Sequence, residues 1–441
     1  MLRSIWMWVL SKIFKTPTET KQKEVEDNLK YAVEYENIEN INFNSIFSNK
    51  LANYSICDSS MTIEGNNKRV DLLNMIGQSM WKNGKKIVSM SLGYGGLFLV
   101  PYVKGNKLFY NLVPQNRVTI DSTEGDLITG ATILAERKEI SLGLGQTKTY
   151  IRWTNYKLKN GNCIIEQKFS DENGEQIKET PSFWNNIKLK EVIGNVDRAL
   201  FGYIKSPINN RRTNSKYGVP ITYGCESTIK EIKETMKQLL DEFRLKRPFV
   251  GADATMFNGK DALPLNGLFK KVDSNNDSFF EVFDPAFRSY TERLQELYKR
   301  LEHEVGTSYG ILSEVDTNNA TATEIKRSMF DTFTLCDDIR INVEKGLNDF
   351  FYACNVLANA ANLTPNGEYK IKFDWSYSLL EDTDTEWQQL TWANKNGIIS
   401  DVEIRQWIKP KEDIKDSEKA IEEIRESQAN IDDILGTRGE E

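Results

Sequence analysis

A chain of 441 residues is long enough for two or three units with their own cores, and 39% hydrophobic against 27% charged residues excludes a disordered polymer. The formal net charge of −7 excludes a basic surface wrapped by nucleic acid, though not a brief or sliding contact with DNA. Five scattered cysteines without CxxC spacing exclude a disulfide frame or zinc site and read as reduced thiols in an intracellular setting; His303, the only histidine, leaves no His-based catalytic or metal set away from its own ring.

In chain order, Met1–Phe14 is apolar and carries Arg3, but Ser11 and Lys12 interrupt the run and no small-residue cleavage site follows. It reads as an amphipathic helix that docks on a partner or on the body. No run is long enough to span a bilayer. Residues 20–90 read as helical and mixed, with Lys21–Glu36 charged and Leu72–Ser89 amphipathic. A β region opens at Gly93-Tyr94-Gly95-Gly96. Leu97–Val100 and Leu108–Val113 flank the turn Lys104-Gly105-Asn106-Lys107 as a hairpin. Further strands are expected at Leu127–Glu136, Lys148–Thr154, Tyr156–Lys159 and Cys163–Ser170, punctuated by Gly125-Asp126, Asn160-Gly161-Asn162 and Asn173-Gly174. This spacing predicts an antiparallel sheet rather than a nucleotide-binding βαβ array. Gly143–Lys148 lacks the Gly-Lys-Ser/Thr ending of a phosphate loop, and Gly93–Gly96 runs into a strand, so both read as turns.

Asn209–Pro220 is a polar loop in which Arg211 and Arg212 suit a phosphate contact, a solvated loop or an inter-subunit ion pair. Two helices follow. Glu226–Arg244 places Ile229, Ile232, Met236, Leu239 and Phe243 at spacings of three and four, and Ala286–Val305 does the same with Phe287, Tyr290, Leu294, Leu297 and Leu301. A 3.5-residue apolar period makes a narrow stripe, suited to a seam between closely aligned helices. His303 sits in the charged run Arg300–Glu304 and reads as a solvated residue near a helix end. Between the helices lies a turn-rich insert, Pro248–Pro285, and after them a polar loop, Thr307–Ala320.

A third helix is predicted from Thr321, capped by Thr321 or Thr323 with Glu324 in its first turn. Its stripe runs from Ile325 and Met329 to Cys354 and Leu357, about forty residues or roughly 60 Å, with Gly346 as a candidate kink. Tyr369–Trp375 is a last strand expected to return to the sheet. The chain is helical again from Thr383, breaks at Gly397–Ser400, and resumes over Val402–Ile408; Lys409–Glu441 is expected to be frayed or ordered only in an assembly.

Several of these residues resemble the portal proteins of long-tailed double-stranded DNA bacteriophages. They are Tyr94–Tyr102, Phe201–Val219, the loop before Ala320-Thr321-Ala322-Thr323-Glu324-Ile325, Phe373-Asp374-Trp375, Trp392-Ala393-Asn394 and Gly397–Ser400. The Thr-Ala-Thr-Glu-Ile start of the third helix is the most specific, and together they span about Gly93 to Ser400. The resemblance implies an α+β portal fold with a mixed wing domain, a two-helix stem, a small α/β clip, a long helix after a tunnel loop, and a short helical crown. On this chain it implies a wing at 1–223, stem helices at 224–247 and 286–306, a clip at 248–285, a tunnel loop at 307–320, the long wing helix and returning strand at 321–378, and a crown and tail at 379–441.

The implied function is a ring at one capsid vertex, of twelve copies or of thirteen on overexpression, through which double-stranded DNA is packaged and ejected. Its implied partners are the terminase large subunit, a head-completion adaptor, and capsid and scaffolding protein. Assembly is expected in the host bacterial cytoplasm, with no membrane. The tunnel loop Gly310, Ile311, Leu312, Ser313, Glu314, Val315, Asp316, Thr317, Asn318 and Asn319 carries no Lys or Arg and is expected to touch DNA sterically and through water. Lys326 and Arg327 face either the channel or a neighbour. Phe249, Met256, Phe257, Leu263 and Phe269 are placed as clip contacts with partners or as clip core. No catalytic residue, metal or cofactor is expected.

Two other classes compete. A carboxylate-dependent nuclease would draw on Asp337-Asp338 or Asp432-Asp433, which read instead as charge on solvated helix faces. A helical scaffold or adaptor would dimerise through the seam helices, but it has no need of the β-rich region between Gly93 and Phe169.

Overall fold

The computed structural model describes residues 19–143, 146–172, 174–177, 179–185, 187–212, 215–245, 250–253, 269–272, 281–282, 287–314, 329–375, 383–409 and 412–436. Met1–Phe14 and the third helix's predicted start at Thr321 lie outside them. The chain divides into two units, the larger running to residue 376 and the smaller covering the helices from 383 onward.

The larger unit opens with α1 (Glu19–Tyr35) and α2 (Phe43–Ile56), followed by β1 (Ser60–Glu64), α3 (Lys68–Lys82) and α4 (Gly84–Tyr94). Asn42 caps α2 by accepting from the Ser45 amide, and Asn67 caps α3 by accepting from Arg69 and Val70. The amphipathic stretch from Leu72 is therefore two helices, broken at Asn83. β1 was not expected: Met61-Thr62-Ile63 is a short β-prone run inside a stretch read as helical.

Two sheets follow. β2 (Gly96–Lys104) pairs with β3 (Lys107–Pro114) as the predicted hairpin, and β9 (Gly202–Lys205) lies along its other edge. Leu97 and Leu99 of β2 enter one core while Phe98 and Val100 enter a second. A strand buried on both faces explains the unbroken apolar run there. The second sheet is antiparallel, β4 (Val118–Glu124), β5 (Leu127–Gly143), β6 (Gln146–Lys159), β7 (Asn162–Asp171) and β8 (Lys190–Gly194) in chain order. β6 fuses the two strands expected at Lys148–Thr154 and Tyr156–Lys159. The polar Asn155 that suggested a break stays in the ladder and donates across the sheet to Thr132 (2.7 Å) and Asp121 (3.2 Å).

After β9 come α5 (Glu226–Leu245), the short strands β10 (Val250–Asp253), β11 (Phe269–Val272) and β12 (Glu281–Val282), and α6 (Phe287–Val305). β10 pairs parallel with β11 and antiparallel with β12. α7 (Phe330–Ala360) then runs through the larger unit, burying Leu335, Cys336, Ile339, Val343, Leu347, Phe350, Phe351 and Cys354 in the first core and Ala353 in the second.

α7 passes through Gly346 without interruption; a Cβ there would stand 2.5 Å from Ile204 Cγ1, while one on Gly202 would stand 2.2 Å from the Gly346 carbonyl oxygen. The two glycines let the helix lie directly on β9. At the other end of α7 the fully buried Arg69 guanidinium donates to Asn355 O and Oδ1, Asn359 Oδ1, and Thr364 Oγ1 and O, at 2.6–2.9 Å. A cation among the last carbonyls of a helix is favoured by the helix dipole.

The last strand, β13 (Lys370–Asp374), does not return to the large sheet. It pairs antiparallel with β1 in a separate two-stranded sheet, where Phe373 and Trp375 stack at 5.8 Å and Trp81 packs against Trp375 at 5.7 Å.

The smaller unit consists of α8 (Thr383–Lys395), α9 (Asp401–Ile408) and α10 (Ile414–Gly436). The predicted break at Gly397–Ser400 is a capping box, with Ser400 accepting from the Glu403 amide and Glu403 accepting from the Ser400 amide. The tail expected to be frayed is helical over α10. Arg405 donates to both Glu412 oxygens (2.7 and 2.9 Å) and Ser417 to Glu412 (3.1 Å), which orders the connection into α10.

Candidate functional site: a helix pair and the loop it anchors

α5 and α6 both belong to the larger unit and lie antiparallel. Ile229, Ile232, Leu294, Leu297 and Leu301 of the predicted stripes are buried, and Met236, Leu239 and Tyr290 are half-buried. Thr228 donates to Glu304 (2.9 Å), Glu231 accepts from Arg293, and Arg300 pairs with Glu304 (2.9 Å) and lies 3.9 Å from Glu231. The stripes are not a seam between two helices alone, because the first turns of α5 and the last turns of α6 merge with the main core and Tyr298 packs against Phe43 of α2. Phe243 departs from the expectation: it is 57% exposed. The Phe287 side chain lies outside what is described.

α6 ends in a Schellman motif. Gly306 takes φ +84°, its amide donates to His303 O (3.1 Å), and the Thr307 amide donates to Glu302 O (2.9 Å). The chain then turns back onto the pair. Glu302, fully buried, accepts from the Ser313 amide (3.0 Å), the Ser313 hydroxyl (2.6 Å) and the Leu312 amide. Gln295 accepts from the Glu314 amide (2.9 Å), Lys50 of α2 donates to Ile311 O, and Ser308 and Thr332 exchange amide-to-hydroxyl bonds at 2.9 and 3.3 Å. Residues 307–314 are thereby tied to α2, α6 and α7 at once.

This bears on the expectation that the polar loop touches DNA along all of Gly310–Asn319. Ile311 and Ser313 are buried and point into the protein, so neither side chain is free to meet a duplex, and Leu312 is half-buried. Glu314 is exposed. Val315, Asp316, Thr317, Asn318, Asn319, Lys326 and Arg327 lie outside the described residues, as do Phe249, Met256, Phe257 and Leu263; Phe269 starts β11, its side chain outside what is described. Glu302 was missed because it sits in a charged run. Its position four residues after Tyr298 and three before Val305, on the flank of the stripe, is the signal that marks it.

The remaining candidates are structural. His303 is exposed, as expected. Arg212 pairs with Asp27 of α1 within the chain. Asp337 pairs with Arg340 (3.3 Å), and among the described residues no group of three or more His, Cys, Asp or Glu is placed to hold a metal. The buried Cys225 thiol at the head of α5 is pushed up to about 12, by burial first and then by Glu304, which disfavours the thiolate. Among the described residues no helix is long and apolar enough to cross a membrane.

A family model described as phage portal protein, SPP1 Gp6-like, matches residues 28–433. Two solved structures share 12% identity with the chain, and in each case the alignment covers 86% of this chain and 92% of the other. One, titled as the virion of a native gene transfer agent particle, has a TM-score of 0.44; the other, titled as the neck of that particle computed with C12 symmetry, has 0.39. No curated protein matches the chain.

Proposed function

The chain belongs to the phage portal proteins of the SPP1 Gp6-like family, a family of structural proteins and not of enzymes, and on that basis we propose that it assembles as a ring at one capsid vertex and forms the channel for DNA packaging and ejection. In this reading α5 and α6 are the stem, the insert between them is the clip, and the segment after α6 is the tunnel loop. The helices beyond residue 379 are the crown and the rest is the wing. The observation that carries it is the helix pair itself: two antiparallel helices rooted in the main core, joined by a strand-bearing insert, and returning to a loop tied down at its base. Such a pair offers exposed outer faces to neighbours while its inner faces fold the chain.

The buried start of the loop moves the proposed DNA contact onward, to Glu314 and the residues after it, with Lys326 and Arg327 as the nearest cations. DNA must slide, so weak acidic and polar contacts suit the channel better than tight phosphate grips. The insert, with Phe249, Met256, Phe257, Leu263 and Phe269, is proposed to meet the terminase large subunit first and the head-completion adaptor later.

Native mass spectrometry with negative-stain imaging tests the ring, with about twelve copies around an axial hole expected. A dimer that never forms rings at high concentration would favour a scaffold or adaptor instead. Replacing Lys326 and Arg327 by alanine should impair packaging more than assembly, and deleting the insert should abolish terminase capture. Intact packaging or intact capture would remove the respective role.

A further inference from the structure

We propose that in the ring the outer face of α5 on one copy seats against the outer face of α6 on the next through a matched ladder of charges. The inference rests on the ring reading above. The side of α5 turned away from α6 presents Glu226, then Lys230, Lys233 and Lys237, then Asp241. The side of α6 turned away from α5 presents Lys299, then Glu296 and Glu292, then Arg288, in the order met along α5. The first pattern is minus, plus, minus; the second is plus, minus, plus.

From the lysines to Asp241 the levels agree with the order. Glu231 bonds Arg293 and lies 3.9 Å from Arg300, so the lysine stretch of α5 runs beside the Glu292–Glu296 stretch of α6. A rotation about an axis along the pair carries a neighbour's helix sideways and not lengthways. Each residue therefore meets the groups of its own level. Lys233 and Lys237 then face Glu296 and Glu292, and Asp241 faces Arg288 toward the insert, whereas Lys299, five residues before the Glu304 that bonds Thr228, falls among the lysine levels and marks the end of the match. A slip of about two turns either way brings like charges together, so the ladder selects the register as well as the partner.

The groups are exposed, although toward the main core the same α5 face borders Lys30 and Glu34 of α1 in its own chain, with Lys233 near Glu34. Lys230, Glu292 and Glu296 have side chains 77%, 64% and 70% exposed. Their present ion pairs, to Glu234 (3.7 Å), Arg288 (2.9 Å) and Arg293 (3.1 Å), are local surface pairs of small individual worth. Leu240, also exposed, stands beside Lys237 and adds apolar area to the α5 face.

Charge reversal on the full chain tests the ladder. The wild type should form rings, while K233E/K237E and E292K/E296K should each lower the ring fraction in native mass spectrometry by about tenfold or more. The quadruple variant, which restores opposite charges across the contact, should regain rings. Doubles that assemble like the wild type, or a folded quadruple that does not recover, would overturn the ladder while leaving the ring reading intact. A wild type that never forms rings overturns the ring reading and the ladder with it. Circular dichroism checks each variant's fold; should a double fail to fold, K237E, E292K and their combination pose the same question with fewer changes.

Discussion

The two ends of the α5–α6 pair carry the same apolar stripe and use it differently. At the end near the main core, Ile229, Ile232, Leu297 and Leu301 are buried, α6 closes in a Schellman motif, and Glu302 holds the returning chain. At the end near the insert, Met236, Leu239 and Tyr290 are half-buried and Phe243 is mostly exposed. A periodic stripe reports which face of a helix is apolar but not what covers it. Here the near end is buried in the core of the single chain, and the far end is only partly covered.

The sharpest way to break this contrast is at the near end. Leu301→Ala empties a fully buried site and should destabilise the chain by about 2–5 kcal/mol in denaturant unfolding. A loss below about 1 kcal/mol would mean that the near end is not part of the core. Glu302→Ala should cost about 2 kcal/mol, because it leaves two amides and a hydroxyl without their acceptor. Glu302→Gln should cost less, since its amide oxygen still accepts from both N–H groups and the Ser313 hydroxyl can turn to accept from the new NH2. Equal losses in the two variants would show that the charge, not the hydrogen-bond pattern, anchors the loop. Gly306→Ala comes next, at about 1 kcal/mol: nothing lies within 4 Å of the added methyl, so only the left-handed backbone resists it.

The helices, the hairpins and their order were legible because periodicity and turn residues act locally. α5 and α6 fall within a residue of their predicted bounds, and the β2–β3 turn sits where Gly105-Asn106 placed it. What escaped depends on distant partners. β1 is a short run that becomes a strand only because β13, three hundred residues on, pairs with it. Gly346 looks like a weak point in a helix until Gly202 is laid against it. Glu302 reads as one more surface acid until residues 312–313 fold back over it. The first half of the loop looked polar and free for the same reason, since its polar atoms are satisfied by groups on three other elements.

The mildest substitution tests the other side of the contrast. Phe243 continues the stripe in perfect spacing, so a purely sequence-based account assigns it the same worth as Ile232. Its exposure argues otherwise: with the residue 57% exposed, Phe243→Ala should change the unfolding free energy of the dilute, unassembled chain by no more than about 1 kcal/mol. The same substitution should act more strongly once copies associate, because apolar surface left exposed in one chain contributes only when something covers it. Comparing its effect on unfolding with its effect on ring yield therefore separates the two uses of one stripe. A large loss of monomer stability would mean that the far end is core after all, and that the stripe serves a single purpose along its whole length.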